Sequence, residues 1–152
     1  QQLLRELKPD RFSAPDGTPA RYEMPNPKEQ LGRGWSFPFQ FDPARGSVAL
    51  SEFEENIRQN ITIIIGTRPG ERQMLPEFGC RVHEYLFAPH TRATAAVIAH
   101  HVSEALRRWE RRIEVLKVDS IPEPGGAVRV QVEYKVVLTD TVQTLSYSLG
   151  NR

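Results

Sequence analysis

Apolar residues follow two different periods along this chain, one helical and one extended. Leu50, Phe53, Ile57, Ile61 and Ile64 recur every three or four positions, a single helical stripe. Ser51 and Glu54 supply a capping box for its first turn, and Gly66 a stop. Ile63 and Ile65 add a second apolar face, so the end of this helix is expected to be buried all round. A second helix runs from a Thr91 cap to Trp109, with Ala95, Ile98, Val102, Ala105, Leu106 and Trp109 on its stripe. Between the two, Val82, Tyr85, Leu86 and Phe87 predict a short helix ended by Pro89.

Beyond Trp109 the period becomes two. Ile113, Val115 and Val118 begin a strand, and residues 121–126 form a Pro-Gly loop. Val128, Val130, Val132, Tyr134, Val136 and Leu138 then alternate against Arg129, Gln131, Glu133 and Lys135, a strand with one wet face. Thr139, Asp140 and Thr141 make a turn, and Leu145, Tyr147 and Leu149 a last strand. The pattern is an α+β fold, two main helices packed on a C-terminal antiparallel meander. At the other end Trp35, Phe37, Phe39 and Phe41 alternate, with Pro38 on the opposite side. This reads as an edge strand whose four rings cover the domain's own core. Residues 1–31 carry Pro9, Pro15, Pro19, Pro25 and Pro27. They predict an extended arm, with one helical turn at Leu3, Leu4 and Leu7, ahead of a domain spanning 32–152.

Composition narrows the chemistry. The net charge of +1 gives no bulk attraction to nucleic acid or membrane. Arg107, Arg108, Arg111 and Arg112 cluster, but Glu104, Glu110 and Glu114 interleave with them and dilute any phosphate-tracking stripe. Arginine supplies 16 of the 20 basic residues, which suits interfaces. The lone Cys80 excludes an internal disulfide and reads as a small core residue. No apolar run in residues 1–30 resembles a signal peptide, and none elsewhere reaches the length of a membrane span. His83, His90, His100 and His101 lack zinc spacing, and no phosphate loop or serine-hydrolase elbow occurs, so no metal, cofactor or catalytic residue is expected. Glu71 and Glu77 offer a carboxylate pair, the minimum for glycoside hydrolysis. Arg68, Arg72 and Arg81 beside them favour charged carboxylates, the wrong state for a general acid.

The densest stretch is residues 66–80. Gly66-Thr67-Arg68-Pro69-Gly70-Glu71-Arg72 leads to Met74-Leu75-Pro76-Glu77-Phe78-Gly79-Cys80. A plain connector needs turn residues, not this concentration of charge beside an aromatic. Together with Gly34-Trp35-Ser36-Phe37-Pro38, the helix at 51–65, Leu86-Phe87 and Glu110-Arg111-Arg112, it resembles the gene-25-like baseplate wedge family of contractile tails. That family is found in phages, type VI secretion systems and extracellular injection particles. The resemblance covers roughly 32–149. It departs at Arg111, where the family usually carries proline between the Glu and Arg that Glu110 and Arg112 match.

The resemblance implies a structural, non-enzymatic role in a phage-tail-like baseplate, assembled in the cytoplasm and released outside the cell in particle-forming systems. It implies six copies that bind wedge subunits, contact the central hub or spike, and seed the first ring of sheath subunits by strand exchange. Arg68, Glu71, Arg72, Glu77 and Phe78, with the Glu110/Arg112 pair setting orientation, would meet the wedge. The strands carrying Arg129, Gln131, Glu133 and Lys135, and Leu145, Tyr147 and Leu149, would meet the sheath by backbone pairing. The arm would lie along a neighbour. Some family members carry an old lysozyme label, so a hydrolase using Glu71 and Glu77 is the alternative.

Overall fold

A computed structural model of the chain describes residues 30–89, 91–123 and 127–150. Of the arm expected over residues 1–31, positions 1–29 with the Leu3, Leu4 and Leu7 turn lie outside the described residues, as do His90 and residues 124–126 of the 121–126 loop. The fold is α+β. Strands β1 (Arg33–Trp35), β2 (Phe41–Asp42), β3 (Ser47–Val48) and β4 (Leu50–Glu52) form two short ribbons, in which β1 pairs with β4 and β2 with β3, both antiparallel. Helix α1 (Phe53–Gly66) follows, then a 3₁₀ turn at Arg81–Tyr85, then helix α2 (Arg92–Trp109). Strands β5 (Ile113–Pro122), β6 (Val128–Val136) and β7 (Thr141–Leu149) complete an antiparallel sheet in the order β5-β6-β7.

The core lies between the two helices and one face of this sheet. Ile57, Ile61, Ile64 and Ile65 of α1 meet Ile98, Val102 and Leu106 of α2 and the inner side chains of the meander, all buried. Each such side chain contributes about 1.5–3 kcal/mol of burial. The alternation read along β6 holds: Val128, Val130, Val132, Tyr134 and Val136 are buried, and the positions between them reach solvent. Leu138 falls past the strand, in the turn, and is exposed. Thr91 caps α2 as expected, its hydroxyl oxygen accepting the Thr94 N–H at 3.1 Å.

Three expectations fail for identifiable reasons. Ser51 does not cap α1. It pairs across the ribbon with Gly34, and its hydroxyl accepts a hydrogen bond from Asn56 Nδ2 at 3.0 Å instead. Strand pairing has taken the residue that the capping box needed, and the chain enters α1 through a left-handed Phe53 (φ 55°). Gly66 is the last helical residue rather than the stop. Thr67 closes the helix, its N–H and hydroxyl both donating to the Ile63 carbonyl.

The aromatic segment is two short strands rather than one, and its rings do not cover the core. Trp35, Phe37, Phe39 and Phe41 are 71%, 50%, 64% and 64% exposed. The reason is at Gly34. A Cβ there would sit 2.5 Å from Asn56 Nδ2, so β1 approaches α1 too closely for any inward side chain. The small residues Gly34 and Ser36 face in, and the aromatics face out.

Candidate functional site

The 67–80 segment folds into a closed loop. The Cys80 N–H donates to the Thr67 carbonyl at 2.9 Å and the Gly70 N–H to the Pro76 carbonyl at 2.7 Å, sealing it at base and middle. Glu71 Oε2 accepts the Arg68 N–H at 2.9 Å and tightens the first turn. Phe78 points down: it is 9% exposed and packs against Trp109 at 5.2 Å between ring centroids. The Arg72 guanidinium lies 3.8 Å over the Phe78 ring, and Arg108 lies over Trp109 at 4.9 Å while pairing with Glu77. The result is a layered stack, Arg72–Phe78–Trp109–Arg108, with Glu77 bridging back to the loop. Of the residues expected to face the wedge, Arg68, Glu71, Arg72 and Glu77 are exposed together on this loop. Phe78 is instead part of the core, and anchors them. Met74, 96% exposed, and Leu75 stand at the loop's outer end. Arg108 and Trp109 were legible only as a helix terminus and a stripe position.

The Glu110/Arg112 pair turns inward. Glu110 is 4% exposed. Arg112 grips it with two bonds, Nε to Oε1 at 2.7 Å and Nη2 to Oε2 at 2.6 Å. Arg112 Nη1 also donates to the Leu31 carbonyl at 2.7 Å and to Asn56 Oδ1 at 3.0 Å, and Asn60 Nδ2 donates to Glu110 Oε2 at 3.3 Å. One ion pair therefore ties the α2–β5 corner, helix α1 and the segment entering β1. The bonds expected to orient a partner are made within the chain, and Arg111 between them is the exposed member. Without the family's proline at this position, the corner is still held, by Arg112.

In the meander, β6 has both edges occupied, by β5 and β7. Arg129, Gln131, Glu133 and Lys135 therefore offer side chains on the wet face and no free backbone. Two of them are already paired: Arg129 with Glu123, and Lys135 with Asp140 at 2.9 Å and Glu114 at 3.7 Å. Asp140 first, then Glu114, holds the Lys135 ammonium above its usual range, and the Ser148 hydroxyl followed by Arg129 holds the Glu123 carboxyl below its own. Among the described residues the open borders belong to the outer strands, and these differ. β5 carries a bulge between Val115 and Lys117 and ends on Pro122, both devices that blunt an edge. β7 pairs with β6 through nine consecutive positions without a break and contains no proline. Leu145 and Leu149 fix it from below, buried, with Tyr147 partly buried beside them.

Cys80 is 1% exposed, and burial pushes its thiol up to about 11. At pH 8 the native thiol is expected to react with iodoacetamide about a hundredfold more slowly than in the unfolded chain, as read by mass spectrometry of the alkylated fraction. Because the folded value lies above the unfolded one, this contribution to stability is complete below pH 9 and lost as pH rises through about 11. Burial also lowers the His83 imidazole, whose Nε2 sits 3.0 Å from the Ile65 carbonyl. Among the described residues no three His, Cys, Asp or Glu side chains converge on a possible metal, and no helix is long and apolar enough to cross a membrane. A cleft lined by Pro69, Pro76, Glu77, His101, Glu104 and Arg108 contains one of the two candidate carboxylates, while Glu71 is outside it.

Residues 51–141 match the family model described as baseplate wedge protein gp25. Baseplate wedge protein gp25 of Enterobacteria phage T4 is 39% identical over 67 residues, 44% of this chain; the match spans about half, 51%, of that protein's length. A Geobacter sulfurreducens crystal structure described as a tail lysozyme is 41% identical, covers 66% of this chain and 93% of its own, and gives a TM-score of 0.61. A chain of the anti-feeding prophage baseplate, 24% identical over 80% of this chain and 87% of its own, has the same fold at a TM-score of 0.60.

Proposed function

This chain belongs to the baseplate wedge protein gp25 family, and from that premise we propose that it is a structural subunit of a contractile injection machine's baseplate, nucleating the sheath along β7. The observation that carries the reading is the contrast between the two sheet borders. β7 offers an unbroken, proline-free row of backbone donors and acceptors, whereas β5 is bulged. An incoming sheath strand gains main-chain pairing along β7, and charge pairs on the sheet, Lys135 with Glu114 across β5 and β6 and Lys117 with Asp119 along β5, keep the sheet soluble until then. The closed 67–80 loop presents Arg68, Glu71, Arg72 and Glu77, with Met74 as an apolar anchor, to the wedge subunits. The arm and contacts to a central hub or spike add avidity in a six-copy ring. Assembly takes place in the cytoplasm.

Proline scanning tests the edge. Consecutive residues of a border strand aim their N–H groups alternately inward and outward. Of Gln143→Pro and Thr144→Pro, one removes an outward donor and the other breaks the β6–β7 ladder. The outward variant is expected to fold, by circular dichroism and melting, yet leave baseplates without sheath in electron micrographs. Full-length sheaths on both variants would discard the proposal.

The lysozyme description of the Geobacter sulfurreducens relative favours a second reading, hydrolysis by Glu71 and Glu77. Against it, Glu77 is 67% exposed at its side chain and paired with Arg108, and Glu71 bonds its own loop backbone. A general acid needs a carboxyl withdrawn from water. Peptidoglycan release by the purified chain, abolished in Glu71→Gln and Glu77→Gln, would restore that reading.

A further inference from the structure

Among the described residues, the largest concentration of uncovered aromatic surface is the ribbon of β1 to β4. Trp35, Phe37, Phe39 and Phe41 are each at least half exposed, and Leu50, which pairs with Trp35 across the ribbon, is 45% exposed. The Ser36 N–H donates to the Ala49 carbonyl, and the Ala49 N–H donates to the Gln40 carbonyl, both at 2.9 Å. One residue therefore holds both ends of the 36–40 segment, and Phe37, Pro38 and Phe39 loop out between the two bonds. The loop leans back on the ribbon, where Phe39 meets Trp35 in a T-shaped contact at 6.1 Å between centroids. It is fixed to the packed domain as well: the Phe37 N–H donates to Gln59 Oε1 of α1 at 2.8 Å, and Gly34 is seated against Asn56.

Three properties of this patch fit a second copy of itself. The first is area. An aromatic side chain carries about 150–250 Å² of surface, so at these exposures the four rings leave roughly 500 Å² uncovered, and Leu50 adds to it. A patch of that size is at the upper end of what a monomer exposes. Two such patches face to face bury roughly 1,000–1,200 Å², enough for a weak but specific interface. The second is charge. The charged residues between positions 33 and 52 are Arg33, Asp42, Arg45 and Glu52, two of each sign. They stand beside the rings as two ion pairs, Arg33 with Glu52 and Arg45 with Asp42, each at 3.6 Å. A two-fold contact brings each surface against its own image. A rim carrying both signs accepts that image without net repulsion, and the whole chain carries a net charge of only +1. The third is ring electrostatics. Aromatic rings are negative on their faces and positive at their edges, so a group of rings is complementary to another group of rings.

We infer that in the unassembled chain the Trp35–Phe37–Phe39–Phe41 patch is a self-association surface, on which two copies pair about a two-fold axis. The occupant of each patch is the same patch of the second copy. The contact lies ahead of residues 51–141, the part that matches the family model, and depends on no feature of β7 or of the 67–80 loop. Its failure would therefore leave the sheath and wedge reading as it stands, and the reverse holds too.

Sedimentation velocity of the full chain between about 1 and 300 µM tests this. The inference expects the mass to rise from that of one chain towards that of two and no further, with a Kd of about 1–100 µM. Trp35→Ser and Phe39→Glu are each expected to weaken the association at least about thirtyfold, the loss typical of an anchor side chain at the centre of a contact. Both side chains are largely exposed, so unchanged melting temperatures verify that the fold survives. Phe87→Glu changes an aromatic residue that is 99% exposed outside the ribbon, and is expected to leave the association as it was. A single-chain mass at every concentration would overturn the inference. So would growth beyond two copies, which excludes a closed two-fold contact, or association that survives Phe39→Glu or is lost equally in Phe87→Glu, which assigns it to another surface.

Discussion

Replacing Arg112 with alanine is expected to lower the free energy of unfolding by about 3–5 kcal/mol, the largest single effect among these variants. The substitution removes both bonds to Glu110 and the bonds to the Leu31 carbonyl and Asn56. Glu110, 4% exposed, is left with Asn60 and the residue-112 backbone N–H as its hydrogen-bond donors. A buried carboxylate that has lost its counter-charge is costly because water cannot replace the guanidinium. The pair's net contribution is a different quantity. A double variant, Arg112→Met with Glu110→Gln, keeps volume and removes both charges, and is expected to recover much of the loss. Urea unfolding of the three proteins gives the answer directly. A single variant within about 1 kcal/mol of the native chain would mean that the corner is held by packing alone, and that the ion pair is free for a partner after all.

The second large effect falls on Gly79. Its φ of 114° is a region that other residues avoid, and a Cβ there would stand 2.3 Å from the Thr67 carbonyl oxygen. That oxygen is the acceptor for the Cys80 N–H that seals the loop. Backbone cannot move aside as a flexible side chain can. Gly79→Ala therefore combines backbone strain with a lost buried bond, roughly 3 kcal/mol or more in total. Gly70 is the control. Its φ is also positive, 94°, but nothing lies within 4 Å of a Cβ placed there. Gly70→Ala is expected to cost strain only, about 1–2 kcal/mol. Equal melting temperatures for the two alanine variants would remove the close approach at Gly79 from the explanation of why the loop has its shape.

The helical stripe of α2, the Thr91 cap, the strict alternation of β6 and the apolar seat of Cys80 are all legible in the sequence alone. In each case a local pattern and the burial it implies point the same way. The misses share a cause. Periodicity says which residues share a face, not which face another element covers. Trp35 to Phe41 alternate as a strand does, but the side they occupy was decided by Gly34 pressing on Asn56, a contact across more than twenty positions of sequence. Ser51 has the spacing of a helix cap, yet β1 takes it as a strand partner. For the candidate site, the charged residues of the 67–80 loop were identifiable by composition, and Phe78 was grouped with them by neighbourhood. Its ring instead seats the loop on Trp109. Nothing in the spacing of Glu110 and Arg112 says whether the pair faces out or in; that depends on Asn56, Asn60 and Leu31, all remote in sequence. The central position of β6 follows from meander order, but the difference between the two open borders needs the bulge beside Leu116, which only pairing geometry reveals.

A cryo-electron microscopy map of the assembled particle addresses the β7 proposal most directly. The account predicts a strand from another chain hydrogen-bonded along the outer side of Thr141–Leu149, with the β5 border unpaired. Density showing that side of β7 in solvent, or a foreign strand seated only against β5, would contradict it.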